Sequence, residues 1–357
     1  MKSVKILGAG PAGLAAAINL SQNGYNVDIF ERNLDVGNNI NGNLQGLENW
    51  SGDQDVIEEF KKMNIKTNFH CEPFNNLRIT NSKENWDFSC ERPAFYVLKR
   101  GTDNNSLDQG LKKQALDNGV NIRFGETAPI SDVDIVATGG DPKFKFAVGK
   151  GISFETEHKN VAVGLVNNYH AFKGYSYLLV SNGFGCIATV LFEGFQDLNK
   201  YFKRTLDEFQ SNFDLDEKYP HKFSGYGSFS NQIMKREDQI LIGEIAGFQD
   251  LLWGFGIRNA VKSGFIASKS ILDGKECKDY YKIAENYFKP KLNSSIVNRF
   301  IWEKFASNNY SIILNRIYNS NDPLKYLNSF HNFNFLQKLI YPFALFYMKY
   351  RYPNLKL

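Results

Sequence analysis

The first 31 residues contain the pattern that most restricts the fold of this chain. Residues 4–7 form a short apolar run that predicts a strand, and residues 14–20 predict a helix. Gly24 is placed to end that helix, and residues 25–30 predict a second strand. A strand, a crossover helix and a strand in this order form a parallel βαβ unit. The chain is therefore expected to contain a parallel, Rossmann-type sheet.

The turn between the first strand and the helix has the spacing of a phosphate-binding loop. Gly8 allows a tight turn, Gly10 lets the backbone approach a pyrophosphate, and Gly13 allows helix and strand to pack closely. Pro11 and Ala12 lie in the first turn of the helix, where free N–H groups and the positive end of the helix dipole attract phosphate. The spacing of this turn therefore predicts a dinucleotide-binding site.

An acidic residue stands where the second strand ends. Glu31 follows Gly13 by 18 residues, which is the distance expected for a carboxylate that accepts hydrogen bonds from a ribose diol. The next residue, Arg32, indicates a 2′-phosphate site as an alternative. We favour Glu31 as the ribose ligand because it holds the strand-end position and its charge repels a phosphate.

Length and composition exclude several classes of protein. The chain has 357 residues, enough for about two domains, and its 43% hydrophobic and 22% charged content is typical of globular proteins. Its four cysteines, at positions 71, 90, 186 and 277, show no CxxC or metal-ligand spacing. The sequence therefore predicts no metal site, no disulfide scaffold and a reducing, cytoplasmic location. No signal peptide is expected at the N-terminus.

The remaining elements are predicted from hydrophobic periodicity. Further strands are predicted at residues 95–98, 120–124, 133–136 and 240–242, and helices at 53–64, 106–118, 198–213 and 256–272. Three strands joined by short turns, at 161–166, 175–180 and 186–192, predict an antiparallel lobe. Residues 37–52 are rich in Gly and Asn and predict a loop. Helical patterns dominate after residue 278.

These elements predict a discontinuous domain organisation. The nucleotide-binding domain is expected to comprise residues 1–45, 90–145 and 238–275, interrupted by a substrate-binding lobe made of 46–89 and 146–237. Residues 276–357 are expected to form a helical C-terminal region.

The N-terminal motif with Glu31 resembles that of the FAD-dependent oxidoreductases of the glutathione-reductase-like fold. Residues 134–140 resemble the strand and glycine turn that return to the cofactor in these enzymes, and residues 243–248 followed by 254–264 resemble their second FAD motif. The closest form is that of the geranylgeranyl reductase family, in which a glycine-rich stretch leads into a helix that carries a Ser-Gly pair. Arg100 matches an arginine that precedes the long helix. The resemblance covers about residues 1 to 275.

The resemblance implies FAD as the cofactor and adds candidate ligands. Beyond the N-terminal turn, it assigns FAD contacts to Arg100, Thr138, Gly139, Glu244, Gly254, Gly256 and Ile257. The helix that starts near Gly256 would direct its positive end at the negative charge of a reduced flavin. The sequence has no second GxGxxG, so either NAD(P)H binds without a Rossmann domain of its own or another donor reduces the flavin.

The family also implies a reaction, and the residues leave alternatives. The leading expectation is hydride transfer from reduced flavin to a C=C bond of an apolar, isoprenoid-like substrate. A flavin monooxygenase of the aromatic-hydroxylase type shares the fold. A non-catalytic prenyl-binding protein is the third alternative, because Asn41, Asn104 and Glu244 depart from the family pattern at a cysteine and two aspartates. No catalytic residue is assigned.

Tyr175 and Tyr177 are the candidate substrate-binding residues. They lie two positions apart on a predicted strand, so their side chains share one face. They are expected either to line an apolar cavity or to belong to the ordinary core of the sheet.

The C-terminal part of the chain is basic and aromatic. Residues 278–357 contain 12 Lys and Arg against 4 Asp and Glu. We expect no nucleic acid partner; the alternatives are an anionic membrane surface and a solvated helical face. Residues 335–348 are apolar but too short to span a bilayer. Residues 335–357 are therefore expected to make a peripheral membrane contact or, alternatively, to pack Phe335, Leu336, Leu339, Phe343 and Phe346 inward.

Overall fold

The computed structural model describes residues 2–40, 42–305 and 310–357; Asn41 therefore lies outside the described residues. The strands are β1 Ser3–Leu7, β2 Asn26–Glu31, β3 Leu44–Glu48, β4 Cys71–Phe74, β5 Asn76–Thr80, β6 Asn85–Ser89, β7 Phe95–Lys99, β8 Asn121–Phe124, β9 Ile135–Val136, β10 Lys145–Glu155, β11 Val161–Leu165, β12 Tyr175–Ser181, β13 Phe184–Leu191, β14 Lys218–Ser228 and β15 Ile240–Leu241. The helices are α1 Pro11–Gln22, α2 Val56–Lys62, α3 Leu107–Asp117, α4 Leu198–Asn212, α5 Ile257–Leu272, α6 Cys277–Phe305, α7 Ser311–Tyr318, α8 Pro323–Ser329 and α9 Phe335–Arg351.

A five-stranded parallel sheet confirms the Rossmann-type prediction. Its order is β15-β9-β1-β2-β8, and every adjacent pair is parallel. Helix α1 follows β1 and is buried from Ala12 to Leu20 because it packs between the sheet and α5. The strand order reverses between β1 and β9, and ligands bind at such reversals, outside the carboxyl ends of the strands.

A seven-stranded sheet forms the second layer, in the order β14-β10-β13-β12-β11-β5-β6. Its strands pair antiparallel, as predicted for the lobe, except that β5 and β11 are parallel. One face is covered by α4, where Phe202 and Phe209 pack on Ile152, Leu178 and Ile187. Side chains on the opposite face line a cavity, which is described below.

Four strands of this sheet, β5, β6, β10 and β14, are missing from the sequence predictions. Strands β10 and β14 each run for 11 residues and pair with each other antiparallel. Strand β10 contains two glycines, Gly149 and Gly151, and β14 is largely exposed at the sheet edge, so neither shows a clear apolar alternation. Backbone hydrogen bonds between distant segments, rather than local burial, define them.

A small third sheet corrects the loop prediction for residues 37–52. Strand β3 lies inside that segment and pairs antiparallel with β7, which also pairs with β4. The local sequence does not predict β3 because it is formed by pairing with a strand about 50 residues later. The expected domain boundary between residues 45 and 46 falls within β3, and β4 joins β7 rather than the seven-stranded sheet. The domain division stays a proposal.

A buried arginine of α6 ties the helical C-terminal region to two loops, the one before β12 and the one before α5. Arg299 lies in α6 and donates to Glu303 Oε1 at 2.9 Å, to the Leu252 carbonyl at 3.2 Å and to the Lys173 carbonyl at 2.8 Å. Glu303 also accepts hydrogen bonds from the hydroxyls of Tyr347 and Tyr352 at the end of the chain. These bonds hold α9 and the C-terminus against α6.

The inward-packing alternative for the C-terminal aromatic residues is wrong. Within α9 the inward side carries Gln337, Ala344 and Met348, which are buried. The apolar residues that the alternative placed in the core are exposed instead, and these are Phe335, Leu336, Leu339, Phe343 and Phe346. Both sides of the helix carry apolar residues, so the helical period of these residues does not show which side is buried. No helix in the described part of the chain is long and apolar enough to cross a membrane.

Candidate dinucleotide groove and apolar chamber

The carboxyl ends of four parallel strands meet at one edge of the Rossmann-type sheet and open into a cavity of about 790 Å³. The residues that follow these strands line it: Gly8 after β1, Glu31 at the end of β2, Ala137 after β9 and Ile242 after β15. The predicted site residues therefore meet. Of those predicted for cofactor or substrate, all line this cavity except Gly13, which packs behind the turn.

The three glycines of the turn are required for different reasons. Gly8 has a φ of +107°, and a Cβ there would lie 2.4 Å from the Ala137 carbonyl oxygen. A Cβ on Gly13 would lie 2.1 Å from the Gly8 carbonyl oxygen. At Gly10 a Cβ would meet no described heavy atom within 4 Å, although Gly10 lines the cavity. The open space at Gly10 is the cradle expected for a pyrophosphate.

Helix α1 points its N-terminus into this cradle. Gly10 is the N-cap and Pro11 occupies the first helical turn, where its missing N–H costs nothing. The backbone N–H groups of the first turn and the helix dipole make the cradle attractive to phosphate. The groove thus has the geometry and the charge preference that the sequence predicts for a dinucleotide.

Glu31 is held rigidly beside the turn. Its Oε2 accepts the Ala9 N–H at 2.9 Å, and its Oε1 accepts the Asn33 N–H at 2.9 Å and Asn33 Nδ2 at 2.7 Å. A carboxylate has about four acceptor positions, so capacity remains for a ribose hydroxyl. Arg32 lies exposed at the rim of the cavity. Both residues are thus available to the adenosine end of a cofactor.

Arg100 is fixed by a partner that sequence reasoning missed. Its Nε and Nη2 donate to the two carboxylate oxygens of Asp108, both at 2.9 Å, and its Nη1 donates to Gln45 Oε1 at 3.1 Å. Asp108 lies in the first turn of α3 and is buried. Asn104 stands where the resembled family has aspartate and has no carboxylate. Asp108 therefore supplies the carboxylate that binds Arg100. The only sequence feature that could have indicated Asp108 is its position two residues after Ser106, the N-cap of α3.

The second glycine-rich segment forms another part of the cavity wall. Gly254 has a φ of +80°, and a Cβ on Gly256 would lie 1.9 Å from Gln249 Oε1. Gln249 Nε2 also donates to the Gly254 carbonyl at 2.6 Å, so this side chain shapes the turn. Helix α5 begins at Ile257, on the cavity wall. On the other side of the groove, Thr138 and Gly139 follow β9 and line it.

The Ser-Gly pair of α5 has a packing role. A Cβ on Gly264 would lie 2.3 Å from the Ala12 carbonyl oxygen, so α5 and α1 approach closely there. Ser263 Oγ accepts the Gly243 N–H at 2.9 Å and so positions the start of the second motif.

Glu244 joins the two large sheets. Its Oε1 accepts the Ser228 N–H at 2.7 Å and the Ser228 hydroxyl at 3.0 Å, and Ser228 ends β14. Burial raises the pKa of Glu244, and the two hydrogen bonds oppose that rise. The extra methylene relative to aspartate therefore lets the carboxylate contact β14 while it lines the cavity.

The far wall of the cavity is an apolar chamber formed by the seven-stranded sheet. Among the described lining residues, every one that this sheet contributes is uncharged, whereas the charged ones, Glu31, Arg32, Arg100, Asp108 and Glu244, belong to the other elements. Tyr175 and Tyr177 stack with ring centroids 6.3 Å apart. The Tyr175 hydroxyl donates to the Trp253 carbonyl at 2.7 Å. Burial raises the pKa of both tyrosines, so both are neutral at physiological pH.

Four aromatic side chains complete the chamber and were not predicted. They are Trp50, Phe95, Trp253 and Phe255. The Trp50 ring packs edge-on against Trp253 at 5.9 Å and against Phe255 at 5.3 Å. They come from three separate segments, so no local pattern marks them. The only sequence signal is the aromatic content of 15%.

Two buried carboxyl groups lie in the segments beside these aromatics. Burial raises the pKa of Glu48 to about 7, although the Arg258 guanidinium opposes the rise. Burial also raises the pKa of Asp250 to about 6, against hydrogen bonds from neighbouring backbone N–H groups. Glu48 lies between Gly46 and Trp50, which both line the cavity. Both carboxyl groups therefore have raised pKa values close to the wall, although neither lines the cavity.

Comparison with known proteins agrees with this geometry. A family model described as an NAD(P)-binding Rossmann-like domain matches residues 6–47. The chain has no detectable sequence match among curated proteins.

Solved structures share the fold over nearly the whole chain. A geranylgeranyl bacteriochlorophyll reductase-like protein from Thermoplasma acidophilum is 14% identical, with a TM-score of 0.69 over 98% of this chain and 99% of that one. A flavin-dependent brominase is 13% identical, with a TM-score of 0.65 over 98% and 100%. A 2-methyl-3-hydroxypyridine-5-carboxylic acid oxygenase is 14% identical, with a TM-score of 0.56 over 91% and 95%. At such identities the likeness establishes the fold.

Proposed function

We propose that this chain is an FAD-dependent oxidoreductase that reduces C=C bonds of an apolar, isoprenoid-like substrate. The observation that carries the proposal is the two-sided cavity. A groove with charged and glycine-rich walls, suited to a dinucleotide, is continuous with an uncharged chamber on the seven-stranded sheet. Such a chamber favours a substrate without charge, because an ionised group would lose its hydration without gaining a partner.

The residues of the groove fit FAD. Gly10, Pro11 and Ala12 would hold the pyrophosphate at the N-terminus of α1, and Glu31 the adenosine ribose. Glu244, Gly256 and the N-terminus of α5 would lie toward the flavin end; Arg100, Thr138, Gly139, Gly254 and Ile257 would also contact the cofactor. FAD, when bound, would supply the hydride, and the protein would supply position and electrostatics.

The chamber would hold the substrate for the reduction and shield it from water. Reduction of a C=C bond adds a hydride to one carbon and a proton to the other. Tyr175 and Tyr177 would contact the apolar chain of the substrate. Burial raises the pKa of both, so they stay neutral and are poor proton donors, and the source of the proton is not assigned. The rings of Trp50 and Trp253 would keep water away from the reacting carbons.

Two alternatives keep specific support. The similarity of the fold to a hydroxypyridine-carboxylic acid oxygenase and to halogenases favours a flavin monooxygenase as the second candidate. A non-catalytic prenyl-binding protein is the third. It rests on the departures from aspartate at Asn104 and Glu244, of which the first is offset by the Asp108 carboxylate. NAD(P)H is the proposed electron donor, with another reductant as the alternative.

One set of measurements separates the three candidates. The purified protein is expected to release FAD on denaturation. After anaerobic reduction with dithionite, a polyprenyl lipid should restore the oxidised flavin spectrum and gain two hydrogens, detected by mass spectrometry. Reoxidation that requires oxygen and hydroxylates an aromatic compound would replace the reductase with the monooxygenase. A bound prenyl lipid without flavin would indicate the binding protein.

A further inference from the structure

The outer side of α9 is an apolar strip without a partner in the described structure. Its members are Phe335, Leu336, Leu339, Phe343, Phe346 and Tyr350, with exposed fractions from 56% to 81%. At 3.6 residues per turn, these six positions fall within an arc of about 100°. We call them the α9 apolar strip. A continuous exposed strip of this kind is typical of an interaction surface.

The strip is not needed to hold α9 in place. The opposite side of the helix packs on α6 through Gln337, Ala344 and Met348. Gln337 Nε2 donates to Asn298 Oδ1 at 2.8 Å, and Asn334 and Gln337 form a capping box at the helix start. The helix is therefore anchored from one side and presents the strip to the outside.

Basic side chains border the strip on both sides. Lys338 and Lys349 are exposed and lie next to one edge of the strip on the helical wheel. Lys304 is exposed on α6, and its Nζ lies 4.4 Å from the ring centroid of Tyr347, which borders the other edge. The sequence of α9 contains no Asp or Glu. The whole surface thus combines apolar and positive character.

We propose that the α9 apolar strip binds the surface of a bilayer that contains anionic lipid. The aromatic and leucine side chains would enter the boundary between headgroups and acyl chains, and the three lysines would contact acidic headgroups. A second copy of the chain fits less well, because two such surfaces would bring lysines of like charge together. The proposal does not depend on FAD, and its test measures vesicle binding by the flavin-free and the flavin-bound protein alike.

The first arm of the test removes the apolar contacts. Full-length protein is sedimented with vesicles of phosphatidylcholine and phosphatidylglycerol at low salt. Phe343→Ser with Phe346→Ser is expected to weaken binding about tenfold or more, because two large apolar side chains no longer enter the interface. The matched control is Leu116→Ser with Ile312→Ser, which alters two exposed apolar side chains on α3 and α7. The control is expected to bind like the unmodified protein.

The second arm removes charge. Lys338→Gln with Lys349→Gln is expected to weaken binding about tenfold and to make it less dependent on salt. Lys200→Gln with Lys203→Gln removes the same charge from exposed positions on α4 and is expected to change binding less than twofold. Vesicles of phosphatidylcholine alone are expected to bind the unmodified protein weakly.

Three results would overturn the proposal. The first is no sedimentation with anionic vesicles at low salt. The second is equal loss of binding in the control variants. The third is a dimer in analytical ultracentrifugation that Phe343→Ser with Phe346→Ser dissociates, since the strip would then be a contact between copies. Melting temperatures of all variants, measured in parallel, show whether each variant is folded.

Discussion

At the scale of single residues, the glycine turn contains residues needed for folding and a residue needed for ligand binding. Gly8 and Gly13 are required because a side chain would collide with backbone atoms of the protein itself. Gly10 faces open space in the described structure, so its lack of a side chain serves the ligand. A substitution at Gly8 should therefore act on stability, and a substitution at Gly10 on cofactor binding.

Gly10→Val is expected to lower the FAD content about tenfold or more, while the melting temperature of the cofactor-free protein falls only slightly because valine is a poorer N-cap residue than glycine. The backbone at Gly10, with φ of −77° and ψ of 177°, suits a β-branched residue, and its side chain would enter the cradle of the pyrophosphate. FAD per protein is measured after denaturation. Gly8→Val is the comparison and is expected to unfold more readily. Full flavin content in Gly10→Val would contradict our assignment of the turn.

Glu48 is expected to make stability depend on pH. Because burial raises its pKa from the ordinary 4.5 to about 7, the folded protein binds the proton more tightly than the unfolded chain. The free energy of unfolding is therefore unaffected by this group below about pH 4.5 and falls as the pH rises to about 7, by up to about 3 kcal/mol.

Glu48→Gln tests this dependence, since an amide cannot ionise. Urea unfolding at pH 5 and pH 8 should show a smaller loss of stability in the variant than in the unmodified protein. Asp250, whose pKa is also raised, remains in both proteins, so part of the pH dependence persists in the variant. The same pH dependence in both proteins would show that Glu48 is ionised in the fold at little cost.

At the scale of elements, the contact between α1 and α5 decides whether one glycine-to-alanine substitution stabilises or destabilises the protein. Glycine inside a helix is usually about 1 kcal/mol less favourable than alanine. At Gly264, however, a Cβ would lie 2.3 Å from the Ala12 carbonyl oxygen, and backbone atoms cannot move aside cheaply. The collision should exceed the gain in helix propensity.

Gly264→Ala is therefore expected to destabilise the protein by about 1–3 kcal/mol. Separation of α1 from α5 should also weaken FAD binding, because both helices direct their N-termini into the groove. Urea unfolding and FAD titration measure the two effects. A variant more stable than the unmodified protein would show that the two helices are free to adjust.

The inner side of α9 is expected to stabilise the fold, and its outer side is expected to contribute little to stability. Deletion of residues 335–357 removes the hydrogen bonds of Tyr347 and Tyr352 to Glu303 and the buried Leu355 and Leu357. We expect this deletion to cost about 3 kcal/mol or more, because buried polar groups lose partners and the core is opened. Phe343→Ser with Phe346→Ser should change stability by about 0.5 kcal/mol or less. Thermal unfolding of both variants checks this, and equal losses would contradict the anchoring role of the inner side.

At the scale of the whole molecule, the cavity lies between all three sheets, so the cofactor should stabilise the entire fold. A ligand that binds only the folded state at 100 times its dissociation constant adds about 2.7 kcal/mol. We expect FAD to raise the melting temperature of the cofactor-free protein in a concentration-dependent way. FMN should have little effect because it lacks the pyrophosphate and the adenosine that the turn and Glu31 would bind. An equal shift with FMN would contradict the dinucleotide assignment.

The sequence by itself determined the nucleotide groove. The βαβ unit with its glycine turn, Glu31 at the end of β2, and α5 were predicted correctly as parts of the fold, because each is encoded by neighbouring residues and a βαβ unit has few alternative arrangements. Their roles in cofactor binding stay a proposal. Tertiary structure decided the apolar chamber, the Asp108 partner of Arg100 and the strands β3, β10 and β14, since these form by contact between segments far apart in the chain. It also decided which side of α9 faces outward. Periodicity reveals that a helix has two sides, but only the packing on α6 shows which of them is buried.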